Sequence, residues 1–72
     1  MIMPDAEQVY FQETAWEYIR LAYKYKQQGR LARAQDALLE ARYFEAKIKP
    51  KFIEAELVEN IDRIGKLISR GY

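Results

Sequence analysis

The sequence predicts an all-α fold, an antiparallel three-helix bundle whose first two helices form a tight hairpin. Three observations predict it. Apolar residues recur at three- and four-residue intervals over most of the chain, with no strand-like alternation. The helix-breaking residues Gly29 and Pro50 stand where such helices would have to stop. The gaps they mark are short, which makes consecutive helices antiparallel neighbours. Residues 1–72 are read as a single domain, of a size at which helix packing must be very good or a partner must help.

The first helix is predicted over about residues 5–28. Pro4 suits a first turn, where its missing N–H is not needed. Asp5 and Glu7 then sit at the positive end of the helix dipole. Gly29 ends the helix, because the residue after a helix favours a left-handed backbone that glycine enters without strain. Phe11, Ala15, Tyr18, Ala22 and Tyr25 share one face of this helix. Val9, Trp16 and Tyr23 lie nearly opposite, with Ile19 between, so the apolar arc is too wide for one neighbour.

The second helix is predicted over about 31–48, ending before Pro50. Leu31, Ala34, Leu38, Ala41 and Ile48 share a face, flanked by Ala37 and Phe44. Alanines at this spacing let two helices approach closely, and large Tyr18, Leu21 and Tyr25 before the turn are expected to interdigitate with small Ala34, Ala37 and Ala41 after it. The third helix is predicted over about 51–70, closed by Gly71. Its Ile53, Leu57, Ile61, Ile64 and Ile68 form one apolar stripe. Glu59–Arg63 and Asp62–Lys66 are acid-before-base pairs on the exposed flank, worth only ~0.2–0.5 kcal/mol each. Gly65 inside this helix costs about 0.5–1 kcal/mol relative to alanine. Such a cost points to a close helix crossing beside Ile61 and Ile64, or to a shallow notch for a partner.

The composition argues against catalysis. The chain has no histidine and no cysteine, so the commonest bases, nucleophiles and transition-metal ligands are missing. Thr14 and Ser69 are the only hydroxyls besides the tyrosines, and Gly29, Gly65 and Gly71 are isolated rather than gathered in a phosphate loop. Glu56, Glu59 and Asp62 read as a solvated helix face. No catalytic, cofactor or metal site is expected. No apolar run approaches the ~20 residues needed to span a bilayer. The start is acidic where a signal peptide would be basic, so a cytoplasmic protein is expected.

The hairpin resembles a tetratricopeptide repeat: Tyr18, Leu21-Ala22, Tyr25, Gly29, Leu31, Ala34, Leu38 and Ala41 follow that pattern once. A single repeat cannot bury its own face, which excludes an array. The chain also resembles the microtubule-interacting-and-trafficking (MIT) domain, a similar hairpin followed by one further helix. The third-helix stretch "IEAELVENIDRIGKL" carries Ile53, Ala55, Glu59, Asp62, Arg63, Lys66 and Leu67 at the places of that family's pattern, with Ile61 for its leucine. The resemblance implies a non-catalytic adaptor that binds peptide tails of ESCRT-III-type membrane-remodelling proteins in a groove against the third helix. Leu57, Ile61 and Ile64 would floor that groove. The chain departs from the family in a shorter stretch between Ala41 and Ile53, and in Gly65 where an acidic residue is often found.

Two other surfaces are candidates. The stripe of Trp16, Ile19 and Tyr23 has the character of an interface hot spot, for a partner protein or for a second copy in a homo-oligomer. Residues 18–51 carry nine Lys/Arg against three acids. Within that band Arg20, Lys24, Lys26, Arg30 and Arg33 would serve an alternative function as a small nucleic-acid-binding accessory protein.

Overall fold

The computed structural model describes residues 6–70. It is an all-α three-helix bundle, with α1 at Ala6–Gln27, α2 at Leu31–Lys47 and α3 at Ala55–Ser69. The bundle is elongated, 47 × 16 × 14 Å. The expected contributions of Pro4, Asp5 and Gly71 lie outside the described residues.

The α1–α2 turn is a Schellman cap. Gly29 has φ 75°, the Arg30 N–H donates to the Tyr25 carbonyl at 2.8 Å, and the Gly29 N–H donates to the Lys26 carbonyl at 3.0 Å. These bonds satisfy carbonyls that the end of α1 would otherwise leave open. The chain reverses within three residues, so α2 lies antiparallel against α1.

The hairpin is close because both helices are slim where they meet. Ala15 and Ala22 of α1, and Ala34, Ala37 and Ala41 of α2, are all buried. Ile19 and Leu38 fill the space among them. The expected meeting of a bulky helix with a slim one is therefore corrected. Tyr18 and Tyr25 are half-buried, and Leu21 is exposed. Small residues stepped by three or four occupy the centre of the contact on both sides, so the large ones are displaced to its edge.

The third helix lays Leu57, Ile61, Ile64 and Ile68 onto the hairpin, with Gly65 buried among them. It begins at Ala55, four residues later than the periodicity alone suggests. The reason is the connection. Pro50 stands at the second position of a turn closed by the Phe52 N–H donating to the Lys49 carbonyl at 2.8 Å, a position its fixed φ suits. Ile53 and Glu54 then lead into α3, Glu54 in the extended conformation at φ −80° and ψ 133°.

Two glutamines on α1 hold this connection. Buried Gln8 accepts the Lys49 N–H on Oε1 at 2.7 Å. One turn later, Gln12 accepts the Glu54 N–H on Oε1 at 2.8 Å and donates from Nε2 to the Phe52 carbonyl at 3.2 Å. A further turn on, the Trp16 indole N–H donates to Glu54 Oε1 at 2.9 Å. Residues 8, 12 and 16 fall on one stripe of α1, and that stripe guides the backbone from α2 into α3. Among the described residues no buried side-chain nitrogen or oxygen lacks a hydrogen-bond partner.

Candidate docking surface

The structure distributes the expected site residues very differently. Ile19, Leu57, Ile61 and Ile64 are the largest fully buried side chains. They are core, not surface, and cannot floor a groove. The apolar stripe of α3 is consumed in covering the alanine seam of the hairpin, which has too little side-chain volume to close the core by itself. Trp16 and Tyr23 are half-buried and pack against that core. The wide apolar arc of α1 is thus largely explained within the chain, since Trp16 also carries the bond to Glu54.

The groove between α2 and α3 has a different lining. Leu38, Arg42, Gly65, Lys66, Ser69 and Arg70, with Asp62, enclose about 440 Å³. The Arg42 guanidinium lies across Gly65, where an added Cβ would stand 2.8 Å from Nη2. Lys66 is paired with Asp62 at 3.3 Å, both side chains being exposed. The glycine therefore marks a close crossing and a notch at once, filled by an arginine of the same chain.

The basic band is divided. Arg20, Lys24, Arg30 and Arg33 are exposed, whereas Lys26 is half-buried. Arg20 and Lys24 share one side of α1, while Arg33 lines the opening between α1 and α2 beside Asp36 and Glu40.

The side of the hairpin away from the α3 stripe carries the aromatic surface. Phe44 is its hub. Tyr18 stacks on Phe44 with centroids 5.9 Å apart and planes 11° off parallel. Tyr43 meets it edge-on at 5.3 Å and Tyr10 at 6.3 Å. Phe11 lies 6.2 Å away. Such pairs contribute beyond simple area burial. Yet Tyr10 is 58% exposed and Tyr43 57% exposed. Lys47 extends over two of these rings, its Nζ 4.8 Å from the Tyr43 centroid and 5.6 Å from that of Phe11. Toward the turn, the surface continues into a depression of about 210 Å³ lined by Tyr18, Leu21, Tyr25 and Ala37.

This aromatic surface is legible in the sequence only through its doublets. Tyr10-Phe11 and Tyr43-Phe44 are adjacent pairs. Neighbours on a helix point about 100° apart, so a helix that buries one member tends to expose the other. Gln8 and Gln12 had a signal too: polar residues at i and i+4 inside an otherwise apolar arc.

No family model matches the chain, and no curated protein or solved structure matches it either. Among the described residues there is no group of three His, Cys, Asp or Glu placed to hold a metal ion, and no helix long and apolar enough to cross a membrane.

Proposed function

We propose that the protein is a non-catalytic docking module that receives a segment of a partner protein on the open α1–α2 face. One observation carries this reading. Tyr10, Tyr43 and Leu21 are exposed beside half-buried Tyr18 and Phe44, on the side of the hairpin that the α3 stripe does not cover. Contiguous apolar surface of this kind is costly to leave in water and marks interaction sites. Aromatic anchors supply most of the binding energy at such interfaces. The absence of His and Cys from the sequence supports a role without chemistry. The test is Leu21→Glu, which places a charge in the surface without entering the core. The proteins captured by the native chain from its own lysate are expected to be lost, with the circular dichroism melt unchanged. Capture of the same proteins by both chains would refute the reading.

A second reading follows the MIT resemblance and concerns the α2–α3 groove. Three cations, Arg42, Lys66 and Arg70, stand there against Asp62, which suits an acidic peptide tail of the ESCRT-III type. Buried Ile61 takes no part, so recognition would rest on charge, including that of the Arg42 guanidinium that lies in the Gly65 notch. Titration of the isotopically labelled chain with an acidic tail peptide would shift the Gly65 and Ser69 amides if this reading holds.

A further inference from the structure

Resting on the docking reading, we infer that the α1–α2 face takes a basic amphipathic helix from another polypeptide, about four turns long, with its apolar stripe on Tyr18, Leu21 and Ala37. Three features of the face specify this occupant. The first is charge. Glu13, Glu17, Asp36 and Glu40 line the two adjoining depressions that share Tyr18 and Leu21, against Arg33 alone. Four carboxylates against one guanidinium leave −3 in the depressions, and −2 when Lys47 at the aromatic end of the face is included, on a chain whose total is +1. The acids flank the apolar floor, where the polar sides of an incoming helix would lie.

The second feature is length and shape. The surface runs along α1 from Tyr10 to Tyr25, about 22 Å at the helical rise, which matches about 15 helical residues. Its floor is low at Ala37 and raised at Tyr18, Leu21 and Tyr25. That relief receives apolar side chains spaced three and four apart. The third feature is the aromatic end. Lys47 already lies over Tyr43 and Phe11, so these rings accept a cation in the arrangement observed. A lysine or arginine of the partner helix would pack over the ring face of Tyr10, which is 58% exposed at the same end.

The same charges disfavour a second copy of this chain. A two-fold contact through this face would bring the acid-lined middle of one copy against that of the other, setting Glu17 and Glu40 against like charges.

The experiment is a nuclear magnetic resonance titration of the full chain with two synthetic 15-residue helical peptides. Both carry the same leucine stripe; one has lysine flanks and the other glutamate flanks. The lysine peptide is expected to shift the Tyr18, Leu21, Ala37 and Phe44 amides and to bind at least tenfold more tightly than the glutamate peptide. Glu17→Lys with Glu40→Lys should reduce that preference at least tenfold, and added salt should reduce it as well. Equal binding of both peptides on this face would overturn the basic partner while leaving the docking reading intact. Shifts confined to α3 and Arg42, or no binding of either peptide, would overturn both. Light scattering that shows a dimer abolished by Leu21→Glu would assign the face to a second copy and overturn the inference in that way.

Discussion

Replacing Gly65 by alanine should stabilise the protein, although the residue is buried and its neighbour is close. Glycine in a helix interior is less favourable than alanine by about 0.5–1 kcal/mol, because its backbone loses more freedom on folding. Against this gain stands one obstacle, the Arg42 Nη2 atom 2.8 Å from the position of the new Cβ. That atom is the far end of a flexible side chain whose residue is exposed, so it can swing aside into solvent. The next neighbour, Leu38 Cδ2 at 3.7 Å, is at ordinary contact distance and adds a small dispersion gain. The net effect is a stabilisation of about 0.5 kcal/mol or somewhat more. At about 4–8 °C per kcal/mol for a domain of this size, the melting temperature should rise by about 2–6 °C. Thermal melts followed by circular dichroism measure this directly. The informative control is the same substitution with Arg42→Ala. A loss of stability in both backgrounds would show that backbone proximity, not Arg42, requires the glycine, and the reasoning would fail. Gly29→Ala gives the opposite sign: φ 75° is a left-handed conformation, and an added Cβ there should cost about 1–2 kcal/mol although nothing lies within 4 Å.

Three further outcomes test the internal architecture. Gln12→Ala removes both bonds to the α2–α3 connection and should cost about 1–3 kcal/mol in chemical denaturation, with the amides of Phe52 and Glu54 exchanging faster than in the native chain. Ala41→Leu forces a branched side chain into the fully buried seam of the hairpin and should cost about 1–3 kcal/mol; an unchanged midpoint would mean that the helices are free to separate. Trp16→Ala should lower stability by about 2 kcal/mol, less than a full core truncation because the ring is half-buried, and a variant with native stability would return Trp16 to the list of partner contacts.

The arrangement of helices was readable from local chemistry. Gly29 marks the turn because few other residues adopt its backbone without strain, and the step of Leu57, Ile61, Ile64 and Ile68 marks the buried stripe of α3 because helical geometry allows one face to carry it. The start of α3 was not readable in the same way. Residues 51–54 have no breaker after Pro50, and what keeps them out of the helix is the Pro50 turn together with bonds from Gln8 to Lys49 and from Gln12 and Trp16 to Phe52 and Glu54, about forty positions away in the chain.

The functional surface divides along the same line. Periodicity identifies which residues are apolar together, but it does not say which apolar face is covered. Ile61 and Ile64 have the pattern of a groove floor and of a core stripe alike; only the docking of α3 onto the hairpin makes them core. Trp16 reads as a leftover aromatic until Glu54 is brought to its indole. Conversely, Tyr43 and Phe44 stand more than thirty positions from Tyr10 and Phe11, and folding of the hairpin gathers the four into one surface. The presence of three helices, the Gly29 turn and the supply of apolar faces follow from backbone preference and helical spacing alone. Which face became core and which was left to water was decided by tertiary packing, because burial is a property of two surfaces brought together and not of either one alone.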